Sequence, residues 1–183
     1  MPLYLTSASH RAVTLDELLA SRDARQARQQ LWLKKYATPL ISFTTLAPGP
    51  VKDSTLLRSV FNHGLRALRQ RLDESGWEIK NQLCLGLPTG AEGLLAVDAP
   101  AQALKAVAIE LEQHSPLGRL WDIDIFTPQG KMLSRSAFSL PPRRCLLCER
   151  DAKLCAREGT HSLPDLLSRM ETLLHDADAL PHA

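Results

Sequence analysis

Asp122 and Asp124 stand two residues apart in the run Gly118-Arg119-Leu120-Trp121-Asp122-Ile123-Asp124-Ile125-Phe126. The run is rich in strand formers, and Pro128-Gln129-Gly130 supplies a turn after it. Side chains alternate across a strand, so Trp121, Ile123 and Ile125 face one way and the two acids the other. Carboxylates this close repel each other, and a divalent cation between them relieves the repulsion. Mg²⁺ favours one or two carboxylates plus substrate phosphates. Such a pair therefore suits phosphoryl or nucleotidyl transfer, in which metal neutralises charge on the transferring and departing phosphates. A solvated strand face with two ordinary acids is the plainer reading of the same residues.

A second cluster is Cys145, Cys148, Cys155 and His161, spaced Cys-x2-Cys-x6-Cys-x5-His. Three thiolates and an imidazole match a closed tetrahedral zinc site, and Cys-x2-Cys is ordinary ligand spacing. Reduced thiols packed under a loop are the alternative. Cationic candidates are Arg22 and Arg25 on one stripe of an N-terminal helix and Lys52 in Ala47-Pro48-Gly49-Pro50-Val51-Lys52-Asp53-Ser54. The two Arg interrupt an otherwise apolar stripe. Either they meet an anion, such as a ligand phosphate or the acid pair, or the helix rolls its middle out to solvent. Lys52 beside a helix start is a phosphate seat or part of a plain tight loop, and the spacing is not that of a P-loop. His63, inside a helix beside Gly64, is a structural residue, a phosphate ligand or a base.

The elements that must position these residues follow from periodicity. A helix is predicted over 14–36, with Thr14 and Glu17 as a capping box. Strand, helix, strand, strand, helix, strand follow at about 40–46, 54–74, 77–85, 94–97, 101–113 and 119–126. Gly86 to Gly93 reads as a turn region, and Cys84 as a buried thiol. The order is that of a split βαβ, ferredoxin-like α+β sheet with its helices on one face. The acids would then lie on the other face, within reach of the N-terminal helix. Ser139 to Arg144 reads as a linker, and Ser162 or Pro164 starts a final helix, with the tail after Asp176 frayed. The expectation is one domain over residues 1–183: helix 14–36, α/β core 39–135, Cys-rich segment and final helix 139–176.

Bulk properties set the bounds. The 183 residues are 44% hydrophobic and 23% charged, ordinary for a globular protein. A net charge of +2 gives no case for nucleic acid binding. No apolar run is long enough for a membrane span, and residues 1–10 lack the pattern of a secretory signal. A cytoplasmic protein with reduced or metal-bound cysteines is expected.

Several longer motifs together resemble one family. They are residues 118–125, Ser21 to Gln29, Ala47 to Ser54, Phe61-Asn62-His63-Gly64 and Ser139-Leu140-Pro141-Pro142-Arg143-Arg144-Cys145-Leu146-Leu147-Cys148. In matching order they resemble the apo-citrate lyase phosphoribosyl-dephospho-CoA transferases, the citrate lyase holo-acyl-carrier-protein synthases, over essentially the whole chain. The resemblance implies a nucleotidyltransferase. Its donor would be 2'-(5''-triphosphoribosyl)-3'-dephospho-CoA, its acceptor a serine of the citrate lyase acyl carrier (gamma) subunit, and its by-product diphosphate. It implies Mg²⁺ on Asp122 and Asp124, with Arg119 beside them. Arg22, Arg25, Lys52, His63 and Gly118 would then contact the donor phosphates. Asp124, His63 or metal alone would serve the attacking serine, and Arg143, Arg144, Arg150 and Arg157 would face the carrier. Polymerase β-type enzymes add a third carboxylate and an upstream Gly-Ser signal. Neither is evident here, so that likeness is analogy. The competing readings are the equivalent malonate decarboxylase carrier synthase and a non-catalytic carrier-binding module.

Overall fold

The computed structural model describes residues 5–179. Four strands, β1 (Leu40–Thr45), β2 (Glu78–Leu87), β3 (Gly90–Asp98) and β4 (Trp121–Phe126), form one antiparallel sheet in the order β2-β3-β1-β4. The helices are α1 (Leu15–Tyr36), α2 (Thr55–Glu74), α3 (Ala101–His114), α4 (Ala152–Glu158) and α5 (Leu163–Ala179). The last residues of the expected frayed tail, 180–183, lie outside the described region. Residues 177–179 are still helical.

The sheet separates two apolar layers. Leu57, Val60, Phe61, Leu65, Leu68 and Leu72 of α2 pack with α3 against Ile41, Phe43, Leu95, Val97, Trp121, Ile123 and Ile125. Met170 of α5 closes this layer. Across the sheet, Leu33 of α1 packs on Leu40, Leu94 and Ala96, with Trp32, Tyr36, Leu83 and Phe126 around them. Thr14 and Glu17 form the expected capping box of α1.

The turn expected from Gly86 to Gly93 is confined to its centre. Only Pro88 and Thr89 separate β2 from β3, and the glycines lie within strands. Gly86 is there for room, since a Cβ would come 2.0 Å from the Arg58 guanidinium; Gly90 opens β3 at a positive φ of 118°, and Gly93 lies against Phe43 and Phe61. Arg58 in turn pairs with buried Asp53, so Asp53 is an ion-pair partner and Ser54 is the cap of α2. Gly64 serves the same purpose on α2, where a Cβ would sit 2.4 Å from the Phe43 ring and 2.7 Å from Trp121 Nε1.

β4 is an edge strand, and its outward backbone groups find partners, two of them the buried side chains of Lys105 and Glu112. Glu112 accepts from Ile123 N at 3.0 Å, and Lys105 donates to Ile123 O at 3.2 Å. Arg143 donates to Trp121 O at 2.8 Å. Past the turn, Leu133 N donates to Ile125 O at 2.9 Å.

Candidate active site

Asp122 and Asp124 project from β4 on the α1 side of the sheet, beside Thr44 and Ser42 of β1. Asp122 is exposed. Asp124 is half-buried, and its carboxyl is pushed up to about 6, by burial first and then by the charge of Asp122. Lys105 and Arg143 act in the opposite direction without cancelling it. Arg143 Nη2 lies 3.2 Å from Asp122 Oδ1 and also donates to Glu112 at 2.5 Å.

Asp122 lies on a ridge between two clefts. The smaller, about 310 Å³, is lined by Arg22, Arg25, Lys52, Thr44, Thr89 and Glu92 among others. The larger, about 680 Å³, carries Asp124, Lys105, Arg119, Arg135, Arg143 and Arg144 on one side and an apolar wall from Met132, Leu133, Leu140 and Leu146. Asp122, Thr45 and Ala47 line both.

The cations of the smaller cleft differ in their commitments. Arg25 donates to Glu92 at 2.9 Å, and Arg28 pairs with the other oxygen of the same buried carboxylate. Gln29 donates to Ser42 at 3.0 Å, and Ser21 shares a hydrogen bond with Thr89. The polar stripe of α1 therefore meets the sheet, and Glu92 is the anion that answers Arg25. Arg22 and Lys52, by contrast, have no acidic partner among the described residues. Lys52 donates to Ala47 O at 2.5 Å, and its ammonium is held below the ordinary lysine range by burial and by the charge of Arg22. An anion between these two cations would relieve their repulsion, which makes the pair a candidate anion seat.

Three expected residues are placed differently. His63 lies on α2, on the far side of the sheet, with Nε2 2.9 Å from Asp178. It cannot reach the acids. Gly118 lines neither cleft. It is buried in the turn before β4, where a Cβ would come 2.2 Å from Leu111 O. The backbone of α3 demands a glycine there. Arg119 does line the larger cleft, but its guanidinium donates to Arg144 O and, at 2.8 Å, to Cys145 O. It clasps the Cys-rich segment. Of the four Arg assigned to the carrier, Arg143 turns inward to Asp122 and Glu112. Arg144 and Arg150 pair with Glu149 and Glu158.

Cys145, Cys148, Cys155 and His161 come together, all four ligand atoms within 4.8 Å of one another. Sequence reasoning missed Lys105, Glu112 and Glu92. The first two were visible as charged residues amid the apolar positions of α3, and Glu92 was hidden by the glycines around it.

Paired carboxylates between cation-lined clefts on an antiparallel sheet backed by helices are donors that would suit a divalent ion against a polyphosphate, which fits the class of phosphoryl- and nucleotidyl-transferring enzymes. The comparisons with known proteins narrow that class. The pattern of the family described as apo-citrate lyase phosphoribosyl-dephospho-CoA transferase matches residues 13–177. Proteins of that name from Shigella boydii serotype 18 (strain CDC 3083-94 / BS512) and Shigella sonnei (strain Ss046) are 59% identical over 172 residues, 94% of this chain and 94% of each relative. The same figures hold for the protein from Escherichia coli O157:H7 (strain EC4115 / EHEC). The chain belongs to the apo-citrate lyase phosphoribosyl-dephospho-CoA transferase family.

Proposed function

We propose that this chain transfers the phosphoribosyl-dephospho-CoA group from 2'-(5''-triphosphoribosyl)-3'-dephospho-CoA to a serine of the citrate lyase acyl carrier subunit, with release of diphosphate, in the cytoplasm. Membership of the family carries the reading. The position of Asp122 between the two clefts supports it geometrically. The strand order β2-β3-β1-β4 and the alternation of strands with α2 and α3 support a ferredoxin-like sheet. We read the whole chain as one domain.

Asp122 and Asp124 offer hard oxygen ligands on one strand face, and the pair is under-neutralised, so Mg²⁺ completed by phosphate oxygens fits them. When bound there, Mg²⁺ supplies charge neutralisation at the reacting phosphate. Arg22 and Lys52 hold the departing diphosphate in the smaller cleft. The larger, half-apolar cleft takes the dephospho-CoA portion, and its cations meet the phosphates of that portion. The serine Oγ forms a bond to the α-phosphorus as the bond to the diphosphate oxygen breaks. Where Asp124 does not itself hold the ion it can take the serine proton; where it does, the metal alone serves. The place of His63 on α2, behind the sheet, speaks against that role for it.

The test is intact-mass spectrometry of apo carrier subunit incubated with this protein, Mg²⁺ and donor. The expected result is a serine-linked adduct with equimolar diphosphate. Asp122→Asn should reduce the rate at least about 100-fold, the scale of losing one preorganised electrostatic group, while carrier binding persists. Adduct on the malonate decarboxylase carrier alone would move the assignment to that synthase. Carrier binding without any adduct would leave a binding module.

A further inference from the structure

We propose that Cys145, Cys148, Cys155 and His161 bind a structural zinc ion, and that this ion pins the arm carrying Arg143 against the acid strand. The geometry is that of a tetrahedral site. With ordinary zinc–sulfur and zinc–nitrogen bonds, ligand atoms stand about 3.8 Å apart for two sulfurs and about 3.6 Å for sulfur and nitrogen. Here Cys148 Sγ and Cys155 Sγ are 3.6 Å apart, and His161 Nε2 is 3.3 Å from Cys148 Sγ. All four cysteines of the chain are free thiols. The backbone N–H groups of Leu147 and Cys148 donate to the Cys145 sulfur, the solvation a thiolate ligand needs.

The surrounding chain is built as a knuckle. Cys145 N donates to Arg150 O at 2.7 Å, and Ala152 N donates to Arg143 O at 2.9 Å, folding 143–152 back on itself. Asp151 then caps α4, which carries Cys155, and α4 ends at Gly159 in a left-handed conformation (φ 60°). The turn after it delivers His161 ahead of α5. Cys145 and Cys155 are buried, yet Leu147 and Leu154 beside them are exposed. A segment this short, with so few apolar residues turned inward, lacks a core of its own, which is where a metal cross-link contributes most.

The knuckle is joined to the proposed catalytic face at two points. Arg119, just before β4, donates to the carbonyls of Arg144 and Cys145, the first ligand. Arg143, two residues before that ligand, reaches Trp121 O, Glu112 and Asp122. A zinc ion at the cluster therefore fixes where Arg143 stands. Binding is non-redox: the three thiols lose their protons to solvent as the metal replaces them.

The metal claim stands apart from the transfer reading, because its first readouts need no donor. Untagged wild-type protein from zinc-supplemented culture should carry one zinc per chain by elemental analysis. Only Cys84 should react with a thiol reagent until a chelator is added. Cobalt exchanged into the site should show the ligand-field bands of tetrahedral thiolate coordination. Trypsin should cut after Arg143, Arg144 or Arg150 in stripped protein and spare them in loaded protein. His161→Ala should lose metal to a chelator that wild type resists, and His161→Cys should retain it. Substoichiometric zinc with all four thiols reactive in the native protein would overturn the proposal, as would a Cys148–Cys155 disulfide in place of metal. A loaded site with equal trypsin cleavage in the stripped form would overturn the positioning role.

Discussion

At the scale of single residues, Asp124 carries the clearest electrostatic consequence. Its carboxyl is raised to about 6 by burial and by Asp122. The folded state therefore holds a proton that the unfolded chain releases near pH 4. Between about pH 4 and pH 6 the native state binds more protons, so folding stability falls as pH rises through that window. The loss is on the order of 2–3 kcal/mol. Asn resembles the protonated acid at every pH. Without divalent cation, Asp124→Asn should therefore raise the melting temperature at pH 7.5 by about 5 °C, the shift such a free energy gives a chain of this size. At pH 4 it should change little. Magnesium with a donor analogue should narrow the gap at pH 7.5 by stabilising wild type alone. Equal melting of the two proteins at pH 7.5 would mean that the acid face is not strained by charge, and the argument for a cation there would lose its electrostatic basis.

At the scale of elements, α1 reaches the sheet through a buried carboxylate, and Glu92 decides whether the smaller cleft keeps its shape. Arg25 and Arg28 converge on it from successive turns of the helix. Glu92→Ala would leave both guanidinium groups against a partly buried surface with no counter-charge. Breaking such a pair from one side costs about 3–5 kcal/mol. Urea unfolding should show a loss of that order, and an unchanged midpoint would mean that α1 is held by its apolar contacts and its Ser21 and Gln29 hydrogen bonds without help from Glu92. This element also shows what the sequence could disclose. The strand and helix order, the α1 capping box, the inward stripe of α2 and the facing of Asp122 and Asp124 were all legible, because each rests on local periodicity or capping. Glu92 was not, because Gly86, Gly90 and Gly93 read as a turn. Gly86 answers to a guanidinium that is distant in sequence. His63 failed for the complementary reason. Helical spacing placed it beside Gly64 but could not show that α2 lies behind the sheet from the acids. Gly118 was legible as special, though not as the point where the turn meets the α3 backbone.

At the scale of the whole molecule, a net charge of +2 conceals an uneven pairing of ions. Buried acids are matched within the fold: Asp53 by Arg58, Glu92 by two Arg of α1, Glu112 by Arg135 and Arg143. Arg22 and Lys52 face the smaller cleft without such a match, and Lys52 is penalised both by burial and by Arg22. Ligand-binding cations and structural cations should therefore separate by their effects. Losing one charged hydrogen-bond donor to a phosphate costs about 1.5–3 kcal/mol, or roughly tenfold to over a hundredfold in affinity. Arg22→Ala and Lys52→Ala should each raise the KM for donor and weaken inhibition by diphosphate by such factors. They should leave the KM for the carrier unchanged and the melting temperature equal to or above that of wild type, since each removes a repulsion. Arg25→Ala should show the reverse balance, with stability lost through Glu92 and diphosphate inhibition less affected. Added salt should weaken diphosphate inhibition of wild type more than that of the Arg22 and Lys52 variants, because screening acts on the charges those variants lack. If Arg22→Ala instead lowers stability and leaves diphosphate inhibition intact, the cation pair belongs to the scaffold, and the leaving group must sit in the larger cleft beside Lys105 and Arg143.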